Sequence, residues 1–128
     1  MIINVKPDKQ KSEALKKMAV TTLERLEKTE AEKYPSNTLV DYYDIIHKLM
    51  ESMTISDGVK IKGEGAHQEL IDFLARNKVF DEQTRVFLQE MRDFRNRISY
   101  EGFTVHSNYV KLNKDKITTI ISRLFDKV

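Results

Sequence analysis

The chain of 128 residues has no cysteine, no tryptophan, two prolines and four glycines. Without cysteine there are no disulfide staples, no thiolate zinc site and no cysteine nucleophile, and a reducing compartment fits best. The opening residues MIINVKPDKQ lack the apolar centre of a secretion signal, and no apolar run approaches the ~18 residues needed to cross a bilayer. The expectation is a cytoplasmic protein with no membrane partner. An excess of one charge is missing too: 22 basic against 20 acidic residues leave a net charge of +2, so any claim of nucleic-acid binding has to rest on a local site. The length suits a single domain covering residues 1–128, in which roughly two thirds of the unfolded surface can be buried without metal or disulfide support.

What is present is helical periodicity. Over residues 8–33, Leu15, Met18, Ala19, Thr22, Leu23 and Leu26 recur at i, i+3, i+4 and i+7, with Asp8 as cap. Tyr34-Pro35 interrupts the pattern, because the residue before proline is pushed out of the helical region, and Ser36 can cap the next helix. That helix, residues 37–56, carries apolar side chains on more than one face, among them Leu39, Tyr43, Ile46, Leu49 and Met53. A central position is therefore expected for it. Three glycines fall within DGVKIKGEGA, so residues 57–66 read as an irregular joint. A short helix follows over 67–76, burying Leu70, Ile71 and Leu74. Asp81 caps another that runs to residue 99 with Phe87, Leu88, Met91, Phe94 and Ile98 inward, and Gly102 stops it. After a loop over 103–112, Asn113 caps a last helix with Ile117, Ile120, Ile121, Leu124, Phe125 and Val128 on one face. No segment alternates with period two, and the connections are short. The fold class is all-α, an antiparallel bundle of four to five helices.

One polar residue breaks the apolar pattern. A step of 100° per residue places Arg95 between Leu88 and Met91, inside the buried stripe. A guanidinium cannot shed its charge, so it needs a carboxylate, an anion or a partner's surface. Asp41 or Asp44 of the central helix could supply the first. Around it, RDFRNRISYEG places Arg92, Arg95, Asn96, Arg97 and Tyr100 in the last turns of one helix. Solvated charges at a helix C-terminus explain Arg92 and Arg97 without a ligand. Three guanidiniums beside an amide and a phenol also suit a phosphodiester, which planar forks grip bidentately and a ring can support by stacking.

Here the chain resembles the HEPN family of small helical bundles. The likeness covers roughly residues 39–128 and rests on LVDYYDIIHKLMESM, KIKGEGAHQELIDFL and RNRISYEGF in that order. The resemblance implies a bundle that commonly forms a homodimer around a shared cleft. It also implies metal-independent RNA cleavage by an Arg-Asn pair and a His four to six residues after the Arg, and a link to nucleotidyltransferase partners in toxin–antitoxin or defence systems. Arg95 and Asn96 match the pair, whereas Tyr100 stands in the histidine position. A phenol with a pKa near 10 is a poor general base but a good hydrogen-bond donor to phosphate. The expected catalytic set is Arg95, Asn96 and Tyr100, and the expected nucleic-acid contacts are Arg92, Arg95, Asn96 and Arg97, extended by Lys60 and Lys62 if the joint folds towards them. His106 in the following loop lies ten residues past Arg95, outside the signature spacing, so it is not expected to replace the missing histidine.

Other patterns compete. Asp44-Ile-Ile-His47 and Glu64-Gly-Ala-His67 resemble half of a carboxylate-bridged di-metal set, but two further glutamates cannot be assigned, and no metal or other cofactor is expected. GEG has no following Gly-Lys-Ser/Thr, so it is not a P-loop, and Ser99 has no triad partners. The alternative to an RNA- or nucleotide-binding protein is a non-catalytic homodimeric interaction module, a partner for a nucleotidyltransferase, in which Arg95 pairs across the dimer and no nucleic acid binds.

Overall fold

The computed structural model describes all residues, Met1–Val128. It is an all-α helical bundle with one small addition. The elements are β1 (Ile2–Asn4), α1 (Lys9–Glu27), α2 (Pro35–Ser56), β2 (Val59–Ile61), α3 (Ala66–Arg76), α4 (Glu82–Glu101) and α5 (Ser107–Lys127). No helix is long and apolar enough to cross a membrane.

The expected centre is the observed one. Helix α2 packs against all four other helices and β2, and Leu39, Tyr43, Ile45, Ile46, Leu49 and Met50 on it are fully buried. Two faces are apolar because two sides are covered, as the sequence pattern requires. Its longest contact is with α1, where small side chains let the helices meet closely. Ser12 and Ser52 lie with their Oγ atoms 2.8 Å apart, and each hydroxyl reaches the other's carbonyl oxygen, at 2.9 and 2.8 Å. These buried hydroxyls are therefore fully partnered.

Several boundaries move. Helix α1 ends at Glu27, and a 3₁₀ turn at Ala31–Lys33 takes up the rest of the expected span. Pro35 occupies the first turn of α2, where its missing N–H costs nothing. Ser36 is not the cap; its Oγ accepts from the Val105 N–H at 3.0 Å and ties the loop before α5 to α2. Helix α5 begins at Ser107, so Asn113 lies inside it and donates to the Tyr109 carbonyl. Asp8 and Asp81 do cap their helices, accepting from the Lys11 and Thr84 N–H groups, and Gly102 ends α4 at φ +69°.

The joint over residues 57–66 is not wholly irregular. Val59–Ile61 pairs antiparallel with Ile2–Asn4, Ile3 facing Lys60. The clip is tightened where Val5 N–H donates to the Gly58 carbonyl at 2.8 Å and Asp8 N–H to that of Ile55 at 3.1 Å. Gly58 has φ +78°, and a Cβ there would lie 2.7 Å from the Val5 carbonyl oxygen. Gly58→Ala should therefore cost about 2 kcal/mol and open the ribbon. Hydrogen exchange checks this: the Val5 amide should lose its protection, and an alanine variant with the wild-type melting point and a protected Val5 amide contradicts it.

Candidate functional site

The site lies where α2, α3 and α4 meet. Arg95 projects from the apolar stripe of α4 towards α2, its side chain 22% exposed, with Nε 3.6 Å from Oδ1 of Asp44. That distance gives attraction without a hydrogen bond, and Nε is the one buried side-chain nitrogen or oxygen with no partner. Nη1 makes only a long contact, 3.3 Å, to Oδ1 of Asn96. Asp41, the other candidate acid, is 2.8 Å from Arg25 and is taken by it. The guanidinium thus has one acid nearby and most of its donors unused.

Its neighbours divide. Arg92 donates to Gln89 at 3.0 Å and to Asp93 at 2.7 Å, which holds its fork beside α3. Arg97 turns the other way, 3.9 Å above the Phe103 ring and 4.0 Å from Glu101. Tyr100 is 77% exposed, and its hydroxyl makes no hydrogen bond to the protein. Asn96 and Tyr100 therefore share a helix end without sharing a contact. His106 caps α5, accepting from the Asn108 N–H at 3.1 Å, and is exposed there.

A second group, within reach of the Arg95 charge, is assembled by tertiary packing and by no sequence motif. The imidazoles of His47 on α2 and His67 on α3 stack with centroids 3.8 Å apart and planes 15° apart, and the Tyr43 ring lies beside the pair, its centroid 6.1 and 6.0 Å from theirs. Nδ1 of His47 is 3.0 Å from Oε1 of Glu51, and Nδ1 of His67 is 3.3 Å from the Tyr43 hydroxyl. Burial is the main influence on His67 and pushes its pKa down to about 4, helped by His47, Arg95 and Arg92 and opposed by Glu51. Burial also raises the Tyr43 phenol, which stays protonated, while the bond to His47 lowers Glu51. Near neutral pH the His67 ring is therefore uncharged.

Both histidines open onto a cleft of about 160 Å³ that Glu51, Lys11 and Lys60 also line, closed on its apolar side by Leu15, Ile55 and Leu70. Of the two lysines proposed from the joint, Lys60 reaches this cleft, because the strand pairing fixes it there; Lys62 is exposed outside it. The acid-x-x-His pairs do not act as pairs. Asp44 faces Arg95, Glu64 is exposed, and no three His, Asp or Glu side chains are grouped to hold a metal ion. The spacing His47-x-x-x-Glu51 was the one sequence signal for the true partner, since i and i+4 share a helix face.

Comparison with protein-family models, with curated proteins and with solved structures found no match.

Proposed function

We propose that this protein is a HEPN-like RNA- or nucleotide-binding protein that takes a phosphate on Arg95, with Arg92 and Asn96 beside it. One observation carries the reading: a guanidinium set into an apolar stripe, its buried Nε unpartnered and its nearest carboxylate 3.6 Å away. A buried charge is costly unless fully bonded, and a phosphate oxygen supplies what Asp44 leaves open. Arg97, turned onto Phe103, and Lys62 are outlying contacts in this reading, and Tyr100 binds rather than catalyses. A cytoplasmic homodimer working with a nucleotidyltransferase in a toxin–antitoxin or defence system belongs to the same proposal, on the strength of the family resemblance.

Fluorescence anisotropy with labelled single-stranded RNA tests it. Affinity should fall with salt by about 0.7 in log K per decade for each phosphate neutralised. Arg95→Ala should weaken binding about tenfold and flatten that slope by one phosphate's worth. Absence of binding at low salt rejects the proposal. The Arg95–Asp44 approach favours one second reading, an interaction module without nucleic acid, in which Arg95→Ala and Asp44→Asn lower stability alike and RNA is ignored.

A further inference from the structure

We propose that the groove between the end of α1, the 3₁₀ turn at Ala31–Lys33 and α5 is a binding site for a linear aliphatic polyamine. It lies apart from Arg95 and uses none of the residues assigned to phosphate.

The groove has a volume of about 450 Å³, within the ~300–1,000 Å³ usual for small-molecule sites. In a chain whose charges nearly cancel, its walls are acidic: Glu27, Glu30 and Glu32 line it against a single cation, Lys114. Arg25, the cation in the last turn of α1, is turned to Asp41 at 2.8 Å and leaves Glu27 to the groove. Glu30 and Glu32 stand 3.9 Å from Lys33 and 3.6 Å from Lys111, too far for a hydrogen bond. The carboxylates therefore keep their acceptor positions open, and the negative end of the α1 dipole adds to them.

The hydroxyls distinguish this groove from a patch of surface acid. Tyr42 of α2 is 4% exposed and lines the groove, where no protein group bonds its hydroxyl. That oxygen is not enclosed, since Nε of Arg95 is the one enclosed side-chain nitrogen or oxygen without a partner. The open side of the Tyr42 hydroxyl is thus the groove. Burial first, and Glu27 second, raise the phenol's pKa, so it stays neutral beside that carboxylate. Thr29 gives its hydroxyl hydrogen to the Arg25 carbonyl at 2.8 Å, and Thr118 gives its own to the Lys114 and Asp115 carbonyls at 2.9 and 3.2 Å. With the hydrogen spent, each presents oxygen lone pairs.

A surface of carboxylates and spent hydroxyls is matched by a ligand that carries N–H donors and positive charge. Leu23, Leu26 and Ala31 supply an apolar wall on which methylene groups lie, as the stems of lysine side chains do elsewhere. Ammonium groups joined by methylene chains satisfy both parts of the lining at once. A bare metal ion would use neither the apolar wall nor the length, and no three acids are grouped to hold one. The frame is already in place: Thr38 Oγ1 donates to the Ala31 carbonyl at 2.7 Å and Lys33 N–H to that of Glu30 at 2.9 Å, so little ordering is lost on binding.

Calorimetric titration of spermidine into the full chain, freed of nucleic acid and at low salt, tests the site, with amide NMR to locate it. One saturable site is expected, shifting the amides of Glu27, Glu30, Glu32 and Thr118 and weakening as sodium chloride is added. Butylamine, with one ammonium, should bind at least about tenfold more weakly. Glu27→Gln should weaken spermidine about fivefold and Tyr42→Phe about threefold, each variant matched to wild type by circular dichroism. Lys114→Gln should tighten it about threefold by removing the one like charge. No saturable binding, shifts confined to other residues, butylamine binding as tightly as spermidine, or weaker binding by Lys114→Gln would each overturn the proposal. Glu27 and Lys114 are exposed, so their variants decide the matter even if Tyr42→Phe fails to fold.

Discussion

Leu88→Ala should lower stability by about 3 kcal/mol, within the 2–5 kcal/mol typical of a buried leucine reduced to alanine. Leu88 is fully buried on α4, in the layer that also holds Met91 and Phe87, and the helix it anchors carries Arg92, Arg95 and Asn96. Two contributions add: the lost transfer of the leucine's methyl and methylene groups, and the cavity left because a layer packed between α2 and α4 relaxes only in part. Val86→Ala is the control. It removes apolar carbon from the same helix at a site 53% exposed, and its effect should stay within about 0.5 kcal/mol. Chemical denaturation of both variants gives the comparison; similar midpoints would show that α4 is not packed as described. The same loss should reach the site, since Leu88 lies about two turns before Arg95 on the same face of α4.

The second large effect is an acid-side loss of stability with its origin in one ring. His67 has its folded-state pKa pushed down to about 4, against an ordinary value of 6.5. Above pH 6.5 the ring is neutral in both states and costs nothing. As the pH falls from 6.5 towards 4, the unfolded chain takes up a proton that the folded chain refuses, so stability declines over that window and levels off below it. The full shift corresponds to about 3 kcal/mol; partial solvent access to His67 reduces this to about 2 kcal/mol. Glu51, lowered by its bond to His47, adds a further loss at lower pH, as its carboxylate is protonated. Urea midpoints measured between pH 7 and pH 4 should therefore slope downward for wild type and be nearly flat for His67→Gln. An equal slope in both would place the acid sensitivity elsewhere.

The sequence by itself determined the helices, the caps at Asp8 and Asp81, the stop at Gly102, the central place of α2 and the presence of Arg95 on a buried stripe. These are local quantities. A period of 3.6 and the chemistry of a cap are complete within a few neighbouring residues, and burial on two faces shows as apolar side chains on two faces. Periodicity does not say what stands opposite a face. The tertiary structure alone decided that Asp44, and not Asp41, meets Arg95, because a small rotation of α2 about its axis would exchange them. It also decided the ribbon of Ile2–Asn4 on Val59–Ile61, whose three-residue strands are too short for alternation to register and exist only through each other. The stacking of His47 on His67 belongs with these. Each histidine is an ordinary helix residue in its own segment, and their contact follows from how α3 is laid against α2 by the glycine joint and the core beneath it.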